Sequence, residues 1–545
     1  MTDSIDVGKS HPRPIVSQQS NMMILDHDTL LLVFDFVERA NDMLNLLKSC
    51  KAFYNIGRTN LLGSPLRFKG DASRLKFQAF MAHIKKNPSD IQYVKHLSIV
   101  DIPEFGKTSV TNFALEFLQK GTNLQFLKVS RTSVIPSTIT RYDDFTTSRL
   151  HLPSFNLQTT SCPKLEHLNV RNLDDEAMVK ILRYLDSPLK YLNISLRGLR
   201  RRWGTSRRII YHLQKFAPHL EQLHLSGISW PHDEEEEEEE EDDLPIPTWN
   251  PTTLIFPHLH TFSIRKTHLH SMASIIYAFP NLKHLSFPCE ASGFRRDHLA
   301  VMEDLQKHGH MWMSLDSLHV NSHPLYCFAL RCSIKYLDLH THEGPSSLFD
   351  QSPHSIVMLQ IILNDIQPPR LKLSLTGVML TEILERRRSE EFCQLLSYSA
   401  LTHFSLDVTV RFKYVARLES FIDEYLKALQ SNHTIKTLCL TLRWELCNDK
   451  YFFKGDQIRI QPSYITDTYQ SELAMKIVSA VGQTIKYVVL PSVESWKSSP
   501  RSNKVLSRVD GWRVIRGVND GHGTVTLEKL TENECGRVMD ARELR

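Results

Sequence analysis

One apolar phrase recurs along this chain of 545 residues: apolar, two variable, apolar, one variable, apolar. It stands at Val94-Leu97-Ile99, Leu124-Leu127-Val129, Leu165-Leu168-Val170, Leu189-Leu192-Ile194, Leu220-Leu223-Leu225, Leu259-Phe262-Ile264, Leu282-Leu285-Phe287 and Leu315-Leu318-Val320. It returns at Ile334-Leu337-Leu339, Ile356-Leu359-Ile361, Leu401-Phe404-Leu406, Ile435-Leu438-Leu440 and Ile485-Val488-Leu490. The middle of each phrase alternates apolar and polar, the signature of a short strand with one buried face. Pro163, Pro218, Pro257 and Pro280 each precede a phrase by two residues. A proline there stops any preceding helix and favours extended backbone before it.

Helical apolar spacing fills several gaps: Asp174 to Tyr184, Met272 to Phe279, and Ser420 to Leu429. From Leu165 to Leu189, Leu259 to Leu282 and Ile334 to Ile356 the steps are 24, 23 and 22 residues. Strand, turn, helix, turn at such an interval predicts an α/β chain built as a leucine-rich-repeat solenoid, a horseshoe. Length alone allows three or four globular domains. The repeat replaces them with one array over residues 94–490. Asn172 stands where many such repeats carry a turn asparagine, but most copies lack it, so their turns must be satisfied otherwise.

Composition narrows the function. Lys plus Arg number 65 against 61 for Asp plus Glu, a net charge of +4. Bulk charge does not hold this chain to nucleic acid, and no nucleic-acid partner is expected. No apolar run is long enough to cross a membrane, and Met1 to Asn21 lacks a secretory pattern. The nine cysteines are odd in number and scattered, without a CxxC pair, which suits reduced thiols in the cytoplasm or nucleus. Phosphate-binding loops, HExxH and GxSxG are absent, so no enzyme activity and no cofactor are expected.

A different pattern precedes the array. Asp28 can cap a helix through Leu30-Leu31-Leu32-Val33-Phe34, and Asn41 or Asp42 a second one through Met43-Leu44-Leu47-Cys50. The first helix is apolar nearly all round, so a small module cannot cover every face of it, and a partner protein should cover the rest. Residues 22–66 resemble an F-box, as found in fungal F-box proteins with leucine-rich repeats. The resemblance rests on Leu25, Asp28, Leu31-Leu32-Val33-Phe34 and Met43-Leu44-Leu47-Cys50-Lys51-Phe53-Tyr54, with Asp26 standing where the family has proline. It implies a substrate-recognition adaptor of an SCF-type ubiquitin ligase. Leu25, Leu30, Leu31, Val33, Phe34, Leu44 and Leu47 would bind a Skp-family adaptor and, through it, cullin. The repeats would hold an unknown protein substrate. The other reading is a repeat scaffold outside any ligase.

The expected organisation is a disordered tail at 1–21, the helical module at 22–66, linker helices at 67–93, the array at 94–490, and a cap and tail at 491–545. The cap is expected to include a strand pair or helix around Trp512-Arg513-Val514 and Thr524-Val525-Thr526-Leu527, hiding the last apolar face. An acidic loop at 231–245 contains eleven consecutive acids, Asp233 to Asp243, downstream of a basic cluster at Arg197, Arg200, Arg201, Arg202, Arg207 and Arg208. Like charges at that density stay solvated.

On a strand, side chains alternate, so the residue before each middle anchor faces the concave side. That column carries His96, Phe126, His167, Tyr191, His284, Tyr336 and His403 as candidate substrate contacts, with Met358 and Tyr487 among the rest. Large amphipathic rings suit an interface. The column after the anchor is smaller and more polar and includes His224, His319 and Asp338. Two histidine groups, His258-His260-His268-His270 and His340-His342, have alternate spacing. Without a carboxylate or cysteine completing either group, no metal is expected.

Overall fold

The structure is a computed structural model. It describes residues 51–102, 109–130, 160–173, 175–196, 203–228, 230, 254–265, 273–288, 312–328, 330–341, 355–375, 383, 389–396, 400–411, 418–430, 432, 434–445, 467–481, 485–491, 509–516 and 525–539. The tail at 1–21, the adaptor contacts Leu25, Leu30, Leu31, Val33, Phe34, Leu44 and Leu47, and the acidic loop at 231–245 lie outside them. So does most of the arginine cluster, along with His268, His270 and His342.

Among the described residues, sixteen strands follow one another in chain order in one open sheet, and Thr160–Ser161 pairs separately with Leu185–Asp186. The sixteen begin with β1 Leu66–Lys69, β2 His96–Val100, β3 Phe126–Ser130, β4 His167–Leu173, β5 Tyr191–Leu196, β6 Gln222–Ser226, β7 Thr261–Arg265 and β8 His284–Phe287. They continue with β9 Ser314–Asn321, β10 Ser333–His340, β11 Arg370–Leu375, β12 His403–Arg411, β13 Thr437–Glu445, β14 Tyr487–Pro491, β15 Val509–Arg516 and β16 Val525–Lys529. From β1 to β14 every pairing is parallel. The last two pairings, β14 with β15 and β15 with β16, are antiparallel. Parallel neighbours need crossovers, and helices such as Asp175–Tyr184, Trp203–Leu213 and Leu418–Gln430 supply them. The stretches read as helical in the sequence are helices at Asp175–Tyr184, Ala273–Ala278 and Leu418–Gln430.

The repeated phrase explains the core. Its middle residues, from Leu97 through Leu192, Phe262 and Leu337 to Val488, are all buried. So are its first residues, such as Val94, Leu165 and Leu259, which enter the core just ahead of the strand. Each buried leucine contributes roughly 1.5–3 kcal/mol relative to exposure. Neighbouring repeats share these residues, so the stabilisation belongs to the stack.

Two boundaries differ from the sequence reading. Ile356-Leu359-Ile361 lies in the helix Ser355–Ile366, and the repeat's strand is β11 with buried Leu371 and Leu373. Met358 is therefore a buried helical side chain and not a member of the surface column. The parallel sheet also begins at Leu66 rather than Val94, because β1 pairs Leu66 with Leu97 and Phe68 with Ile99. The stretch 67–93 thus holds a strand as well as the helix Arg74–Lys86.

Strand exits share a left-handed residue. Gly70, Asp101, Asn172 and Gly227 have φ of 64°, 54°, 60° and 74°. Gly, Asn and Asp tolerate this region best. The N–H groups of Gly70, Asp101 and Gly227 donate to Val100, Ser130 and Arg265 carbonyls on the next strand. The sparse asparagine is thereby explained: the position needs positive φ, which glycine and aspartate also supply.

Side chains stitch one repeat to the next where the chain enters each strand. Asn123 donates to the Gln92 carbonyl at 2.8 Å, Asn281 to Pro257 at 2.8 Å and Trp312 Nε1 to Phe279 at 2.8 Å. Thr402 donates to Pro369 at 2.9 Å and Asn432 to Leu396 at 2.6 Å. At the N-terminal end, the fully buried carboxylate of Asp90 contacts His83 Nε2 at 2.8 Å and the Arg58 guanidinium at 3.6 Å. Arg58 belongs to the helix Lys51–Gly63, so the clamp ties that helix to the first repeats.

At the far end, β15, β16 and the helix Glu532–Met539 close the stack. Gly511 is required there: a Cβ on it would meet Cys535 Sγ at 2.6 Å. No helix among the described residues is long and apolar enough to cross a membrane.

Candidate functional site

The open face of the sheet is set by register. His96 lies opposite Phe126, Phe126 opposite His167, and His167 opposite Tyr191. The row continues through Gln222, Thr261, His284, Ser317 and Tyr336. Arg370, His403, Thr437 and Tyr487 complete it. All seven candidate contacts named from sequence, His96, Phe126, His167, Tyr191, His284, Tyr336 and His403, thus share one lateral row; His167 is exposed and the other six are half-buried. Arg370 takes the place that the sequence reading gave to Met358.

Rings touch along the first part of this row. Successive centroids lie 6.2 Å apart for His96 and Phe126, 6.0 Å for Phe126 and His167, and 5.6 Å for His167 and Tyr191. His224, from the column after the anchor, extends the series at 5.3 Å from Tyr191. Asn193 donates to the Tyr191 hydroxyl at 3.2 Å. The result is a preorganised band of rings spaced for stacking and edge contacts. Burial, with Arg265 and Arg171 nearby, lowers the His224 pKa, so this imidazole favours its neutral form.

Farther along, polar contacts replace stacking. His284 Nδ1 and the Ser317 hydroxyl are 2.9 Å apart, and His403 Nδ1 and the Thr402 hydroxyl 2.8 Å. Burial, then Arg370 and Lys436, push the His403 pKa down to about 4.

The centre of the face holds a charged cluster that sequence reasoning missed. Register places His319 of β9 opposite Asp338 of β10, and Asp338 opposite Lys372 of β11. His319 Nδ1 lies 3.0 Å from Asp338 Oδ2, and Lys372 Nζ lies 3.1 Å from the same oxygen. His340 Nε2 lies 3.2 Å from Oδ1. This second approach is close but misaligned, leaving both buried atoms without a hydrogen bond. Burial alone would raise the Asp338 pKa, but the two imidazoles and the Lys372 ammonium outweigh it and hold the carboxylate ionised. His340 therefore does have a carboxylate neighbour, two positions earlier on its own strand. The sequence signal was present in the second column, which contains both His319 and Asp338. Of the other histidine group, His260 lies 3.7 Å from Glu221 and 3.1 Å from the Thr261 hydroxyl.

No family model matches the chain. No curated protein matches it. Among solved structures, the crystal structure of the Rad7 and Elc1 complex in yeast is similar over 77% of this chain and 93% of that chain, at 12% identity and a TM-score of 0.33. A likeness at that level carries no argument about function.

Proposed function

We propose that this chain is a non-catalytic substrate receptor of an SCF-type ubiquitin ligase, with an F-box at 22–66 and leucine-rich repeats that hold a target protein. The single observation that carries the reading is the long registered row on the open sheet face. It offers rings and polar groups across thirteen strands. A face of this kind binds an extended protein surface better than a small substrate. The F-box resemblance adds the ligase. The first helix that the resemblance implies would be apolar nearly all round and would need a covering partner, for which a Skp-family adaptor carrying cullin is the fitting one. Ubiquitin transfer then belongs to other subunits, and this chain supplies proximity. The proposed setting is the cytoplasm, the nucleus or both.

A pull-down with a purified Skp-type adaptor tests the ligase half. The wild-type chain should bind, and a chain carrying Leu31→Asp with Val33→Asp should not. If the wild type fails to bind, the chain is a repeat scaffold outside any ligase.

A further inference from the structure

His319, Asp338 and His340 present two imidazole nitrogens and a carboxylate whose ligand atoms all lie within 4.8 Å of one another. Two of the contacts are 3.0 Å and 3.2 Å. Ligands about 2.0–2.1 Å from a tetrahedral zinc ion sit about 3.4 Å from each other. The His340 Nε2 to Asp338 Oδ1 edge is within a few tenths of an ångström of that spacing, while His319 Nδ1 makes its 3.0 Å contact with the other oxygen, Oδ2. Asp338 Oδ1 and His340 Nε2 are buried and make no hydrogen bond, an unusual cost for polar atoms unless something else satisfies them. Lys372 approaches Asp338 through Oδ2 and leaves Oδ1 available, as an outer partner of a ligating carboxylate does. The imidazoles are about one-third exposed, at 34% and 33%, although Asp338 Oδ1 and His340 Nε2 themselves are buried. All three residues stand on two adjacent parallel strands with hydrogen-bonded neighbours on both sides, so the backbone holds them in register.

We propose that His319, Asp338 and His340 form a site for a divalent transition-metal ion of the zinc class, with its open coordination position facing the sheet's outer surface. Two histidines and one carboxylate with a free position match the ligand sets that zinc accepts in open sites. The site is independent of the ligase reading, because it stands on the array alone.

Calorimetric titration of the chelator-treated full chain with Zn²⁺ tests this. One tight equivalent is expected for wild type. That equivalent should disappear in His340→Ala and in His319→Ala, while His96→Ala, on the same face, retains it. Cobalt substitution of wild type provides a measurement that does not depend on any variant folding. It should show the intense visible bands of a four-coordinate nitrogen and oxygen site without thiolate charge transfer. Absence of a tight equivalent, unchanged stoichiometry in His340→Ala, or a thiolate band would overturn the site. The first or second of these results would leave the three residues as an ion-pair network with Lys372.

Discussion

His403 shows how a surface imidazole can govern acid sensitivity. It stands in the outward row between Arg370 and Thr437 and is crowded by burial, Arg370 and Lys436. Its folded pKa of about 4 lies below the ordinary value of 6.5. Between these values the unfolded chain takes up a proton that the folded chain refuses. Stability from this group is therefore complete above about pH 6.5 and falls as pH drops towards 4. After allowance for solvent screening the loss should be on the order of 1 kcal/mol. Hydrogen exchange of β12 amides at pH 7 and pH 5 measures it, and His403→Gln should flatten the difference. An equal pH response in the variant would remove His403 as the source. This position was readable in sequence because alternation along a strand fixes which side chains face outward. His319 and Asp338 were readable in the same way, as neighbours in the column after the anchor, but His340 stands beyond the phrase, so its place beside them shows only in the structure.

Elements of this chain depend on what joins them. Asn432 is 3% exposed, donates to the Leu396 carbonyl at 2.6 Å and accepts from the Thr434 N–H at 2.9 Å. Asn432→Ala removes bonds to buried groups and leaves them without replacements, at a cost of about 2–3 kcal/mol. Urea-dependent hydrogen exchange should show the loss in β13 and the helix Leu418–Gln430, with β2 to β5 unchanged. A uniform loss along the array would mean that the repeats unfold as one unit. Element by element, twelve of the thirteen apolar phrases fall on strands. The exception, Ile356-Leu359-Ile361, shows the limit of the pattern. Spacings of three and five also fit a buried helix, and that helix is apolar on most sides. The strand it displaced, β11, has Pro368 where the phrase needs its first apolar residue. β1 was passed over for a similar reason, with Gly63 in that place.

Across the whole molecule, stability comes from stacking, so the ends matter most. A parallel array terminates in an unpaired strand edge unless something covers it. Here β15 and β16 turn antiparallel, and the helix Glu532–Met539 packs on β15. A chain ending after Pro491 would bare the edge of β14. It should leave the monomer peak on size-exclusion chromatography and gain protease sensitivity in its last repeats, whereas a monodisperse truncated chain would show that β14 needs no cover. The succession of strands and helices was legible because the same short phrase dictates it in each copy. The cap's antiparallel turn was not, since strand direction at an end depends on pairing partners and leaves no mark in apolar spacing. The Asp90 clamp has a consequence at this scale. Because it ties Lys51–Gly63 to the first repeats, anything gripped at that helix sits at a set place relative to the rings. The row from His96 to Tyr487 spans twelve strand spacings, roughly 58 Å at about 4.8 Å each. Repeat number then acts as a ruler: insertion or loss of one repeat shifts cargo beyond that point by a single fixed notch.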